Sequence, residues 1–144
     1  MATHREGIFV EGLWVEKESL DNSIPHVDEV GATSAPLLSM AYFFGSACKD
    51  YSEDFVLCKN ESQDPRKCLK EGRKVTRCAI DLIEKLKLNC NKSWEGHWKC
   101  LDENNQMLEK CRPQEKVFND CVFQKLGLEK VIPDAPEGKP IHLK

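Results

Sequence analysis

Residues 48–121 read CKDYSEDFVLCKNESQDPRKCLKEGRKVTRCAIDLIEKLKLNCNKSWEGHWKCLDENNQMLEKCRPQEKVFNDC. They hold all eight cysteines of the chain, Cys48, Cys58, Cys68, Cys78, Cys90, Cys100, Cys111 and Cys121, and all but two successive gaps contain nine residues. The exceptions, Cys78 to Cys90 and Cys100 to Cys111, divide the ladder into four Cys-x9-Cys segments arranged as two consecutive pairs. This is an internal repeat of about forty residues.

On a helix, ten residues advance the chain about 15 Å and leave both cysteines of a segment on roughly the same side. They cannot bond each other, because a disulfide needs Cα atoms within about 7 Å. Two such helices run antiparallel bring the outer cysteines face to face, and the inner ones likewise. The implied bonds are Cys48–Cys78, Cys58–Cys68, Cys90–Cys121 and Cys100–Cys111; of the 105 pairings that eight cysteines allow, geometry selects this one. In the chain-entropy model each short inner loop contributes roughly 2–3 kcal/mol, so reduction is expected to unfold each hairpin. Zinc and iron–sulfur sites usually space neighbouring ligands two to four residues apart, and dithiol oxidoreductases commonly use C-x-x-C. Neither spacing occurs, and the cysteines read as structural.

The helices between the rungs carry their own signals. Asp64 reads as an N-cap and Pro65 as the first helical residue of a long helix. Its inner stripe is Cys68, Gly72, Val75, Ala79, Leu82 and Leu86, with Gly72 placed to let the partner helix come close. That partner presents Cys48, Tyr51, Phe55 and Cys58. In the second hairpin Cys90, Trp94, Trp98 and Leu101 face Cys111, Phe118, Cys121 and Val122; Pro113 marks a helix start and Gly127 a stop. Phe55 and Phe118 read as core, while Trp94 and Trp98 remain divided between core and partner contact. Upstream, Leu37, Met40, Ala41 and Phe44 form one helical face leading into Cys48. That helix either covers the hairpins or, widened by Tyr42 and Phe43, forms an apolar foot on a membrane subunit.

The resulting class is all-α, with two tandem disulfide-stapled antiparallel helical hairpins and extended N- and C-terminal arms. Residues 1–33 form the N-terminal arm, 34–47 the short apolar helix and 48–78 the first hairpin. Residues 79–89 form a helical connector, 90–121 the second hairpin, and 122–144 a helix end with a proline-containing arm. The arms hold no cysteine, so their order must come from elsewhere. Pro133, Pro136 and Pro140 favour extended chain, and Ile8, Phe9, Val10, Leu13 and Trp14 are an apolar cluster with little local chain to bury it.

With 144 residues and 40% hydrophobic content, the chain suits one modest domain with arms or two small units. A net charge of −3 removes the attraction that drives nucleic-acid binding. The best apolar stretch, Ala35 to Ala47, is short of the roughly 20 residues a bilayer span needs. Glu6, Glu11, Glu16 and Glu18 do not fit an acid-poor transit peptide, so the expected route is one without a cleaved leader. His4, His26, His97 and His142 are scattered, none with an acid–nucleophile pair in a recognisable arrangement, and no phosphate-binding loop appears. No catalytic residue, cofactor or metal is expected. Arg66, Lys70, Arg73 and Arg77 form a basic stripe at helical spacing. It is either a solvated face or a dock for acidic protein or anionic lipid.

The chain resembles the CHCH-domain proteins of the mitochondrial intermembrane space, specifically the two-domain accessory subunits of NADH:ubiquinone oxidoreductase. The resemblance rests on DEV at 28–30, TSAPLL at 33–38, LCK at 57–59 and DPRKCLKEG at 64–72. It continues through VTRCAID at 75–81, CR at 111–112, VFNDCV at 117–122 and KLG at 125–127. It implies import as a reduced chain and oxidation by the intermembrane-space disulfide relay. It further implies assembly with membrane-arm subunits of complex I, peripheral to the inner membrane, with flavin and iron–sulfur centres held by other subunits. A free assembly factor or scaffold of the same fold, or a thiol oxidoreductase, are the alternatives.

Overall fold

A computed structural model describes residues 7–16 and 20–136. His4, Pro140 and His142, and the side chains of Ile8 and Trp14, lie outside what is described. Four helices follow a short β-hairpin: β1 (Gly7–Val10), β2 (Leu13–Glu16), α1 (Ser34–Ala47), α2 (Lys49–Glu61), α3 (Leu69–Glu103) and α4 (Arg112–Leu126). Single 3-10 turns, Pro65–Cys68 and Leu108–Cys111, lead into α3 and α4.

The spine is α3, 35 residues with a kink at Cys90, about 52 Å measured along its path. Its entry uses Asp64, whose side chain accepts a hydrogen bond from Arg66 N at 3.1 Å, with Pro65 supplying a pre-set φ in the turn. Cys90, at φ −131°, breaks the helical geometry inside α3. Such a break strands carbonyls, and the Asn89 carbonyl there accepts from Lys125 Nζ at 2.8 Å. Gly127, at φ +63°, ends α4 in the left-handed conformation that costs glycine least.

Four disulfides tie the helices to this spine: Cys48–Cys78, Cys58–Cys68, Cys90–Cys121 and Cys100–Cys111, with Cα–Cα distances of 5.9–6.0 Å. They are the pairs the two-rung scheme requires. Because the start of α2 is bonded to Cys78 and its end to Cys68, α2 runs antiparallel to the first half of α3. By the same reasoning α4 runs antiparallel to the second half. Residues 79–89 are helical and lie within α3, ahead of the break at Cys90.

The hydrophobic core is concentrated at one end. Met40 and Phe43 of α1, Leu82, Ile83, Leu86, Cys90 and Trp94 of α3, and Phe118 and Val122 of α4 form one buried cluster. Phe43 meets Phe118 and Phe123 edge-on, with centroids 5.4 and 5.9 Å apart. This end is a three-helix bundle. The other end, α2 on the first half of α3, is a two-helix stalk, and α2 itself has no buried residue.

Two sequence expectations need correction. The buried face of α1 is Ala35, Pro36, Ser39, Met40 and Phe43, not Leu37, Met40, Ala41 and Phe44, because α1 packs along α3 and Phe43 fills the space where α1, α3 and α4 meet. Phe43 is therefore the centre of the core and does not widen an external foot. Phe55 and Tyr51 are not buried either: Phe55 is half-buried over Gly72, and Tyr51 is exposed. Within the N-terminal arm, β1 and β2 pair antiparallel with Phe9 opposite Trp14.

Candidate functional site

All eight cysteines are in disulfides, which leaves the oxidised chain without a thiolate to act as nucleophile or metal ligand. In each bond one sulfur is deep, at Cys48, Cys68, Cys90 and Cys111, and its partner is half-buried. The bonds therefore sit at helix seams, where they set spacing between helices. Among the described residues, no group of three His, Cys, Asp or Glu side chains converges as a metal site, and no helix is long and apolar enough to cross a membrane.

The bundle end holds an ionic cluster that the sequence reading missed. Glu115 of α4 is buried and is met by Arg112 and by Lys130, whose Nζ donates to Glu115 Oε1 at 2.9 Å and to Asn119 Oδ1 at 3.1 Å. Lys130 Nζ also lies 5.4 Å from the centre of the Phe43 ring and 5.7 Å from that of Tyr42. Burial is the largest influence on Glu115 and opposes its ionisation, but the bonds and charges of Lys130 and Arg112 outweigh it and hold the carboxyl below its ordinary value. Burial pulls the Lys130 ammonium down, with Glu115 opposing. A charged residue three positions beyond a helix stop gives no periodic signal, which is why Lys130 escaped notice; Glu115, inside a polar-looking turn, gave none either.

His97 lies beside this cluster, on α3 between the two tryptophans. Its Nδ1 and Ser39 Oγ share a hydrogen bond of 2.7 Å, tying α3 to α1, and its ring stacks at a tilt on Phe118 at 5.8 Å. Burial above all, countered by Glu115 and reinforced by Lys130 and Arg112, lowers its pKa to about 4. The ring is neutral at physiological pH and acts as a packing and hydrogen-bonding group. Trp94 joins the core, whereas Trp98 is half-buried at its edge with Lys99 Nζ 5.7 Å from its ring centre.

The surface divides by chemistry. Arg66, Lys70 and Arg77 are exposed on one side of the stalk, and Arg73 is half-buried among them. Arg66 reaches Asp64 at 3.9 Å. Asp21 of the N-terminal arm is held below its ordinary pKa first by hydrogen bonds from Ser23, with Lys70 adding a smaller pull. On α2, Val56 and Leu57 are more than half exposed. In the hairpin Phe9, Val10, Leu13 and Val15 are all exposed, Phe9 to 60%. Phe44 is half-buried and packs against the core edge. The structure does not gather Phe9, Phe44 and the basic stripe into one site: they lie on the hairpin, on α1 and at the start of α3.

No family model matches the chain. It is 52% identical over 139 residues, 94% of this chain and 76% of its relative, to the NADH-ubiquinone oxidoreductase 20.8 kDa subunit of Neurospora crassa. Two Arabidopsis thaliana proteins, the NADH dehydrogenase (ubiquinone) 1 alpha subcomplex subunits 8-A and 8-B, are 34% and 33% identical over 86 residues. That stretch is 60% of this chain and 80% and 81% of theirs. With four stapled Cys-x9-Cys segments and a relative at this identity along nearly its whole length, the chain belongs to the family of twin-Cx9C accessory subunits of mitochondrial respiratory complex I.

Proposed function

We propose that the protein is a non-catalytic structural subunit that braces the membrane arm of complex I from the intermembrane-space side, peripheral to the inner membrane. The observation that carries this reading is the stalk. Its helix α2 has no buried residue, yet two disulfides hold it in place on α3. A helix kept rigid with its apolar side chains uncovered is suited to being covered by something else. The name of the Neurospora crassa relative makes complex I the natural assembly. Four disulfides in a mitochondrial protein fit an oxidising compartment, reached through the disulfide relay as a reduced chain. Contacts with membrane-arm subunits would use Phe9 and Trp14 of the hairpin, Phe44 at the bundle edge, and Arg66, Lys70, Arg73 and Arg77 on the stalk.

Native gel separation of mitochondrial membranes, followed by mass spectrometry of each band, tests the assembly. The chain is expected in mature complex I in one-to-one ratio with the membrane-arm subunits. Its presence in assembly intermediates alone makes it an assembly factor and overturns the proposal, as does one disulfide cycling to dithiol during respiration. Protease treatment of mitochondria with ruptured outer membranes tests the compartment. Protection under those conditions excludes the intermembrane space.

A further inference from the structure

Between α2 and the first turns of α3 runs a groove of about 430 Å³. Phe55, Leu69 and Val75 form its apolar walls, Gly72 leaves its floor low, and Lys59 and Arg73 supply its cations. No carboxylate is among the lining residues. The space over Gly72 is real but narrow: a Cβ there would meet Phe55 Cε2 at 3.4 Å, so the glycine shapes the groove without a clash forcing it. Arg73 Nε is buried and has no hydrogen-bond partner among the described residues. A buried guanidinium N–H left unmatched is costly, and protein structures rarely tolerate one without a reason.

We infer that this groove receives a carboxylate-bearing apolar segment of a partner protein, with Arg73 as its anchor. The inference rests on the structural-subunit reading and names the kind of partner the stalk binds. A concave, mostly apolar site with a few placed polar groups is the usual form of a specific binding site. The guanidinium offers Nε–H and a neighbouring Nη–H side by side, a fork that matches the two oxygens of Asp or Glu. Lys59 adds positive charge from the facing helix. A membrane surface fits less well, because the donor is recessed. A bilayer would engage the exposed Arg66, Lys70 and Arg77 first, whereas a carboxylate protruding from a partner enters the groove and turns the Arg73 guanidinium out toward it, bringing the buried Nε–H into the pair. Apolar contact with Phe55, Leu69 and Val75 would flank the ion pair and exclude water, strengthening it.

The test places benzoylphenylalanine at Val75 of the full chain in mitochondria that carry no other copy, followed by irradiation and mass spectrometry of the adduct. The expected result is an adduct to one protein segment containing Asp or Glu, reduced at least tenfold when Arg73→Met is added. Arg73→Lys, which keeps charge but loses the fork, should restore the yield only in part. Non-reducing peptide maps of each variant check that all four disulfides persist. An adduct to phospholipid, an adduct to a segment without acids, a yield indifferent to Arg73→Met, or no adduct at all overturns the inference. Native gels of the same samples keep the two readings apart. A chain missing from complex I sinks the structural-subunit proposal, while the adduct still decides what the groove binds.

Discussion

Lys130 Nζ lies 2.9 Å from Glu115 Oε1, and this pair closes the chain back onto the bundle three residues after Gly127 ends α4. Both side chains are about as buried as the aromatic core, at 3% and 2% exposure. Removing one partner of such a pair strands the other as an uncompensated buried charge, typically at 3–5 kcal/mol. Because Arg112 still reaches Glu115, Lys130→Met should cost about 3 kcal/mol, the lower end of that range. Urea unfolding of the oxidised full chain measures it, and Glu115→Gln in the same background should recover part of the loss. A cost below about 0.5 kcal/mol, the usual effect of a surface change, would mean that Lys130 is not anchored there.

The neighbouring His97 makes stability depend on pH. Its folded pKa of about 4 lies below the ordinary 6.5, so the unfolded chain binds the proton more readily than the folded one. No penalty applies above the unfolded value. As pH falls from about 6.5 toward 4 the folded state progressively loses stability, by up to about 3 kcal/mol at roughly 1.4 kcal/mol per tenfold in proton affinity. Glu115 adds to the trend further down, since its depressed pKa contributes stability that disappears only as pH drops through the folded value. His97→Phe paired with Ser39→Ala should flatten the difference between pH 6.5 and 4.5. If wild type and variant lose stability in parallel over that interval, the histidine is not the sensor.

The two ends of the molecule should respond differently to loss of their disulfides. The bundle has Phe43, Leu86 and Phe118 fully buried, whereas α2 has no fully buried residue and depends on its two bonds. Replacing Cys48, Cys58, Cys68 and Cys78 with serine should melt α2, with fast amide exchange through Lys49–Glu61, while the second half of α3 stays protected with α4. Uniform loss of protection across both ends would show a single cooperative unit and refute the division.

How much of this was legible in advance follows from which interactions are periodic. The cysteine ladder and the 3.6-residue stripe of α3 repeat, so the pairing scheme and the long helix from Asp64 onward could be read directly, as could the stop at Gly127. The face that α1 buries could not, because a short helix with apolar residues all around it has no stripe; whether Phe43 or Phe44 points inward depends on α3 and α4, far away in sequence. Phe55 was misread as core for a related reason: cysteines at its helical spacing imply a facing helix, and a facing helix alone does not enclose a ring. The Glu115–Lys130 pair and the Ser39–His97 bond are long-range polar contacts with no local pattern at either end. Of the proposed contact surface, the basic stripe was visible, but not that Arg73 alone among its members is recessed in a groove.

The two arms should separate folding from assembly at definable residues. In the hairpin Val10 and Leu13 sit opposite each other and Phe9 falls on the other face by strand alternation. All three are exposed. A lone two-stranded hairpin with apolar groups on both faces is marginal in water and gains stability only when something covers it. Phe9→Ala with Leu13→Ala should therefore change the unfolding free energy of the isolated chain by less than about 0.5 kcal/mol, yet reduce its retention in the mature complex several-fold. The other arm has a sharper boundary. Cutting after Lys130 removes the exposed Val131 and everything beyond it but keeps the buried ammonium; cutting after Leu128 removes the ammonium too. The first truncation should fold like the full chain, and the second should lose about as much stability as Lys130→Met. Thermal unfolding of the two truncated proteins, with native gels for incorporation, reads both effects. Equal stability of the two truncations would show that the arm is held by something other than Lys130. Full retention of the hairpin variant in the complex would show that its exposed apolar residues meet no partner.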